Sequence, residues 1–474
     1  MEYTVKGFDC LPVRIFEEIS AIPRASGNEA GVADYIERFA KNLGLFCYRD
    51  AANNVFITKP ASAGREADAP LLLQAHTDMV AEKNKDKVHN FATDPIQLVQ
   101  EGSVLRADRT TLGADDGYGV AIMLAALSEA TDHPRLECLF TTSEETGMDG
   151  AKAFDYSRIT ARRMLNLDSA EEKDIIVGCC GGQRTDLFLP AVRESASGEG
   201  LAITVKGLFG GHSGEDIHRG RGNALKIMQR LLSRIGEVTE IRIAHIEGGD
   251  KDNAIPRECE AVVAVADKAA AERALAAAIT EVKAATGAPE DAGLAVEVKS
   301  AAYDALLGVR ETAAVLHLLA TEDGVLYWRR EGVLPQTSRN VASVRIFDDR
   351  VRVTVSTRSP SKEVLCESNH MLEARAADVG GYVQHRGAYP GWESPEDSAP
   401  VIAWCDAYRA VTGGELSITV IHAGLECGLI CDACPGMVAL AVGPNIYDLH
   451  TPDERMELDS LVRVWDTVLA FLAK

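Results

Sequence analysis

The sequence predicts an α/β protein: a domain with a central, mostly parallel sheet flanked by helices, interrupted by an inserted α+β domain made of two similar halves. Two observations carry this. In the N-terminal part, short apolar runs of the kind that form buried strands alternate with an alanine-rich helical stretch, and strand, helix and strand in alternation give a parallel sheet with helices on its faces. In the middle the chain becomes more polar and its strands alternate, as in RVRVTVST over Arg350–Thr357, the pattern of a sheet with one solvated face.

Each element follows from local chemistry. Ser26-Gly27-Asn28-Glu29 reads as a capping box opening a helix through Lys41. Leu71-Leu72-Leu73 follows Pro70 and runs into Gln74-Ala75-His76 as a strand, and Leu136–Thr142 and Met164–Leu167 are similar runs that end in acidic residues. Between them Val120–Ala130 is apolar on all sides, the mark of a buried helix. The middle repeats one order of elements. Strand Leu201–Val205, helix Asn223–Ile235, strand Cys259–Ala266 and helix Ala269–Ala285 come first. Strand Ala295–Ser300, helix Glu311–Ala320, strands Asn340–Ile346 and Arg350–Thr357, and helix Glu363–Ala377 follow. Val438–Val442 is another buried strand, and Thr451-Pro452-Asp453-Glu454 reads as a second capping box, opening a helix that runs to the C-terminus. The expected organisation is therefore a discontinuous domain, 1–190 with 386–474, around an insert at 191–385.

Composition narrows the function. The chain has 474 residues, 49 Lys plus Arg against 71 Asp plus Glu, and a formal net charge of −22. Such acidity disfavours nucleic acid and anionic membranes as partners, since both are negative themselves. The longest apolar run, Val120–Leu127, falls far short of the ~20 residues of a transmembrane helix, and Met1–Ser20 carries charges without an apolar core, so no secretory signal is expected. Eleven scattered cysteines fit a reducing cytoplasm. Carboxylates, however, are also metal ligands.

Four segments place such ligands at strand ends or a helix start. In His76-Thr77-Asp78, residues i and i+2 of an extended segment share a side, so Asp78 can hold the His76 ring from behind and raise its basicity. Asp115 and Asp116 lie in a glycine-flanked turn before the buried helix, Glu144 and Glu145 follow the Leu136 strand, Asp168 follows the Met164 strand, and His450 stands far downstream. Two divalent ions sharing a bridging carboxylate need about five protein ligands, which His76, Asp115, Glu145, Asp168 and His450 supply. Glu144, beside a ligand, suits a general base for an activated water. Taken singly, a His-x-Asp pair, paired glutamates or an Asp after a strand are ordinary surface features; it is their joint occurrence after buried strands that points to a metal site at the carboxyl edge of a sheet.

The segments LLLQAHTDMV, TTLGADDGYGVA, TTSEETGMDGA, LNLDSAEE, GHSGEDIHRGRGNA, NAIPRE, YPGWESP, HAGLECGL and HTPDER, spread over nearly the whole chain, resemble the co-catalytic zinc metallopeptidases of the aminoacylase and carboxypeptidase-like group, in their dipeptidase branch. The resemblance implies a cytoplasmic hydrolase of dipeptides, Xaa-His such as carnosine included, with small peptides as partners and a homodimer as a known arrangement. It implies two divalent ions, zinc first, with cobalt or manganese accepted by the same ligands. His76 and Asp168 would hold one, Glu145 and His450 the other, and Asp115 would bridge. Asp78 would orient His76, and Glu144 would act as base and then as acid. In the insert, a lid, His212 would stabilise the oxyanion, while Asn253 and Arg358 would grip the substrate carboxylate, a bidentate match for a guanidinium. Asp116 departs from the pattern, where Asn is more usual.

Other readings remain open on sequence grounds. The same scaffold carries deacetylases, tripeptidases and carboxypeptidases. Zinc aminopeptidases share a Glu-Glu turn followed by glycine, though with a smaller insert. A metal-binding scaffold without catalysis would have no need of Asp78 and Glu144. Cys431-Asp432-Ala433-Cys434, with Cys427 nearby, lacks a second pair at finger spacing, and Cys179-Cys180 reads as packing. The run from Gly210 to Asn223 lacks the GK[ST] of a phosphate loop.

Overall fold

The computed structural model describes residues 3–474. The chain forms two compact units, one made of Cys180–Gly391 with Ile421–Gly424 and the other of the remaining chain. The insert thus begins earlier than the change in polarity near Val192 suggested. Strand Gly181–Pro190 pairs along its length with Arg350–Ser359, and Tyr382–Tyr389 pairs on its other side, so both are strands of the insert's sheet.

In the first unit the sheet runs in the order Phe46–Arg49, Val55–Lys59, Leu136–Thr141, Leu71–His76, Arg163–Asn166, Val438–Ala441, Asp174–Cys179, Trp392–Glu393. It is parallel across its four central strands, Leu136–Thr141 to Val438–Ala441, and antiparallel towards both margins. Leu71–His76 and Leu136–Thr141 are buried on both faces, which is why they read as unbroken apolar runs rather than alternating ones. In register, His76 lies beside Thr141 and Gln74 beside Asn166, so these strands end together at one carboxyl edge. Helix Ala114–Glu129 is buried from Gly117 through Leu127, as its all-round apolar sequence requires.

Both predicted capping boxes are put to other uses. Helix Ala30–Asn42 starts after Glu29 with no side-chain cap, and the last helix starts not after Thr451 but at Leu458, after a short strand Arg455–Glu457. The Ser/Thr-x-x-Glu spacing was present, but tertiary partners recruit these side chains instead. Helix Leu458–Leu472 buries Leu458, Leu461, Val464, Trp465, Val468, Phe471 and Leu472, an i, i+3, i+4 stripe, and Phe471 meets Trp404 edge-on at 5.5 Å.

The second unit is a nine-stranded sheet in which every strand pair with a defined register is antiparallel. The helices of the two predicted halves form as Ala224–Gly236 with Lys268–Ala285 and as Val309–Leu319 with Lys362–Ala377. Asn223, Asp267 and Ser361 cap three of them, their side-chain oxygens accepting from the amides of Leu225, Ala270 and Val364. The halves share the sheet and meet where Ile241–Gly248 touches Leu334–Ile346 at one register pair, Gly248 with Val344. Strand Ala295–Leu307, read as opening the second half, pairs instead with Arg193–Lys206 of the first. Such long-range partner choice leaves no trace in local periodicity.

Candidate active site

The ends of the parallel strands deliver the ligands. His76 is the last residue of its strand, Glu144 and Glu145 follow Thr141 by a turn, and Asp168 lies two residues beyond Asn166. Asp115 enters from the start of the buried helix and His450 from a turn with positive φ (62°), a conformation histidine tolerates better than most residues. Besides the group His76–Glu144–Glu145, two triads result, His76–Asp115–Asp168 and Asp115–Glu145–His450, with candidate ligand atoms of each within 4.8 Å of one another. Asp115 belongs to both: its Oδ1 lies 2.9 Å from His76 Nε2 and its Oδ2 lies 3.2 Å from His450 Nε2. That is the disposition of a bridging carboxylate. His450 Nε2 is also 3.2 Å from Glu145 Oε1, and His76 Nε2 is 4.0 Å from Asp168 Oδ1. Ligands about 2.0–2.1 Å from a tetrahedral ion stand about 3.3 Å apart, so these separations bracket the edges of such a polyhedron.

Charge makes the same demand. Asp78, Asp115, Glu144, Glu145 and Asp168 crowd two imidazoles, and Glu145 Oε1 is buried. Burial, and then the neighbouring Asp115, push the Asp168 carboxyl well up. Burial likewise pushes up Glu144, reinforced by Asp168, Glu426 and Glu145 and opposed by His76. Hydrogen bonds to Asp115 and Glu145 raise His450 to about 11. Divalent cations held by these residues would neutralise this excess, and the donor set of imidazole nitrogen and carboxylate oxygen suits them.

Asp78 is fully buried and does more than hold a ring. Its Oδ1 stands 3.3 Å from His76 Nδ1 and accepts from the Glu144 amide at 3.1 Å, while Oδ2 accepts from the Glu145 amide at 3.3 Å and Ser26 Oγ at 2.7 Å. One carboxylate thereby orients the imidazole and sets the Glu144–Glu145 turn. Glu29 Oε1 accepts from Ser143 N and Oγ, both at 3.1 Å, holding the same turn from below. Here the first capping box finds its use. Asp116 belongs to neither triad; it is buried and accepts from the His76 amide at 3.1 Å and the Gly119 amide at 3.2 Å, so the departure from Asn at this position adds no ligand.

Sequence reasoning missed the support beneath the ligands. Gln74 Nε2 and Thr141 Oγ1 each donate to Glu426 Oε2 at 2.6 Å, Asn166 Nδ2 donates to Gln74 Oε1 at 2.6 Å, and Asn166 Oδ1 accepts from the Asp168 amide at 3.2 Å. This buried network runs from helix Glu426–Ala433 to the backbone of a ligand. Glu426 stood within the HAGLECGL segment, so a signal existed, whereas Gln74 and Asn166 looked like strand residues. Among the described residues the cysteines form no disulfide.

The second unit gathers the remaining candidates. His212 pairs in register with Ala254, and the carbonyl of Asn253 accepts from the Ser213 amide at 2.8 Å, so His212 and Asn253 flank one short ribbon. The Glu215 amide donates to His212 Nδ1 at 3.1 Å, which places the proton of the neutral ring on Nε2. A Cβ on Gly214 would stand 3.1 Å from His212 Cε1 and 3.2 Å from Arg358 Cζ, so this glycine lets the two side chains approach. Arg358 is buried, donates through Nη1 to Tyr389 Oη at 2.8 Å and keeps a buried Nε without a partner. His422 packs here too, with Nδ1 3.0 Å from Cys180 Sγ and Nε2 2.7 Å from Ser338 Oγ. The packing role read for Cys180 thus includes a contact with an imidazole.

Comparison with known proteins agrees with this layout. Residues 203–291 match the peptidase dimerisation domain, and residues 54–198 match peptidase family M28, the stretch bearing all the proposed ligands but His450. The chain is 38% identical over 470 residues, 97% of its length and 96% of the relative's, to the cytosol non-specific dipeptidase of Escherichia coli (strain K12). It belongs to that dipeptidase family of metallopeptidases. The crystal structure of aminoacylhistidine dipeptidase from Vibrio alginolyticus superposes with a TM-score of 0.85 at 34% identity, covering 97% of this chain and 96% of that one. Aminopeptidase PepT from Bacillus cereus, at 18% identity and a TM-score of 0.57, shares the fold over 98% of this chain and 97% of its own. Full-length similarity, insert included, decides for the dipeptidase family. Membership carries a requirement for divalent metal ions. Among the described residues no helix is long and apolar enough to cross a membrane.

Proposed function

We propose that this chain hydrolyses the peptide bond of dipeptides, Xaa-His substrates such as carnosine among a broader set, with a carboxylate-bridged pair of divalent ions. The observation that carries the reading is Asp115, one oxygen directed at each triad. Two ions, zinc by donor preference with cobalt or manganese as substitutes, would polarise the scissile carbonyl and acidify the attacking water. Glu144 then takes the proton of the attacking water and delivers it to the departing nitrogen. Its burial beside other carboxylates favours the protonated form it needs as an acid. Asp78 keeps Nε2 of His76 deprotonated and aimed at the first triad.

The lid residues take the substrate's polar ends. His212, with its proton on Nε2, supports a donor role towards the oxyanion, and the unpartnered buried Nε of Arg358 supports a role towards the carboxylate, with Asn253 beside them. The dimerisation-domain match supports a homodimer, and the cytosolic relative supports a cytoplasmic location.

Glu144→Gln tests the assignment: ion content measured by elemental analysis stays at the wild-type level, while dipeptide turnover falls by about 10²–10⁴-fold or more. Wild-type-like turnover would sink the role of Glu144. A panel of dipeptides, tripeptides and N-acetyl amino acids tests substrate class, and preference for the N-acetyl compounds would overturn it.

A further inference from the structure

Glu454 lies four residues beyond His450 and is 2% exposed. Its Oε2 accepts from the amides of Leu112 at 2.8 Å and Gly113 at 3.0 Å, and its Oε1 from those of Ala114 at 2.8 Å and Asp115 at 3.4 Å. Four successive donors converge on one carboxylate, and the last belongs to the bridging residue. From the other side the buried Arg24 guanidinium donates to the carbonyls of Thr77 at 3.1 Å, Asp78 at 3.0 Å and Gly113. Room is short: a Cβ on Gly113, at φ 69°, would stand 2.7 Å from both Arg24 Nη2 and Met79 Sδ. The turn that ends in Asp115 is thus clamped between an anion on its amides and a cation on its carbonyl.

His450 has no comparable support from burial, since its side chain is 50% exposed. Only Thr451, Pro452 and Asp453 separate it from Glu454, and the Glu454 amide closes that turn by donating to the Thr451 carbonyl at 3.1 Å. We infer that Glu454 is a positioning residue: by gripping the Leu112–Asp115 amides from the segment that carries His450, it sets the spacing of His450 and Asp115 and hence the affinity of the Asp115–Glu145–His450 triad for its ion. The inference rests on the two-ion reading above. Buried amides left without an acceptor cost about 1–3 kcal/mol each, so this carboxylate both satisfies and locates the turn. In Glu454→Gln one end of the side chain becomes a donor and two of the four amides lose their acceptor.

The test titrates metal-free protein with Zn²⁺ against a chromophoric chelator, wild type beside Glu454→Gln, with circular dichroism verifying that the variant is folded. The expected result is one ion bound about 10–100-fold more weakly with the other unchanged. A purely structural anchor would instead lower the melting temperature of the metal-free protein and leave both affinities at wild-type values, which overturns the inference. Should the variant not fold, hydrogen exchange on the metal-free wild type decides: the Leu112–Asp115 amides are expected to be protected, and free exchange overturns the clamp. Uptake of a single ion by the wild type refutes the two-ion reading, while an affinity for that ion unchanged by Glu454→Gln refutes the present one.

Discussion

Replacing Asp78 with asparagine probes how much of the chemistry depends on one carboxylate that touches neither triad's ligand atoms. Asp78 accepts from three donors, the Glu144 amide at Oδ1 and the Glu145 amide and Ser26 Oγ at Oδ2, and its Oδ1 stands 3.3 Å from His76 Nδ1. Asparagine keeps one acceptor oxygen. With its oxygen in the Oδ1 position, Ser26 can rotate its hydroxyl and accept, but the Glu145 amide faces an NH₂ group. The opposite orientation is worse, because it strands the Glu144 amide and drives the His76 proton onto Nε2, the ligand atom. The favoured arrangement therefore leaves one buried amide without a partner, at about 1–3 kcal/mol. That converts to about 5- to 150-fold at 1.36 kcal/mol per tenfold. Initial rates over a range of dipeptide concentrations, at saturating divalent metal, are expected to show kcat/KM lower by about 10–100-fold. Elemental analysis should show weakened metal retention, while circular dichroism stays native. A wild-type kcat/KM in Asp78→Asn would refute both the orienting role and the coupling to the Glu144 turn.

Chelation leaves the carboxylates of the two triads to repel one another, so thermal melts should move down on metal removal and recover on adding Zn²⁺ back; an unmoved melting curve would contradict the site. Gly214→Ala puts a methyl 2.5 Å from the His422 carbonyl oxygen and into the gap between His212 and Arg358, so KM for dipeptides should rise with ion content unchanged. His422 is held down to about 3, first by burial and then by the charge of the Arg358 guanidinium, with the His218 and His212 rings contributing in the same sense. The unfolded chain therefore binds a proton that the folded one does not between about pH 6.5 and that value, and stability falls as pH drops through this window, by up to about 1.4 kcal/mol per pH unit. Urea unfolding at stepped pH should show a shallower acid decline in His422→Gln, and an identical slope would count against a neutral buried imidazole.

The proposed ligands Glu145 and Asp168 stood out because each follows a buried strand, His76 because it ends one, and Asp115 because it opens a buried helix, and such strands declare themselves as apolar runs; His450, in a turn, had no such local signal. The last helix, placed by its capping box at Thr451, begins only at Leu458. Ser26, Glu29 and Glu454 show the opposite. Their spacing is that of capping boxes, and local rules assign them to helix starts, yet Ser26 bonds Asp78, Glu29 holds Ser143 and Glu454 takes the amides of Leu112–Asp115. A carboxylate goes where most donors converge, and convergence belongs to tertiary structure. Arg24 carried no local signal at all, since its partners are backbone carbonyls more than 50 positions away.

By itself the sequence determined the alternation of strands and helices, the acidic cluster at their ends and the family, because these rest on residue type and spacing within short segments. The tertiary structure alone decided that Asp115 turns one oxygen to each histidine, that Gly181–Pro190 belongs to the insert and that Ala295–Leu307 joins the first half of its sheet. Those outcomes depend on which distant segments meet. Contact across hundreds of residues is settled by the packing of the whole chain, not by the pattern within any stretch of it.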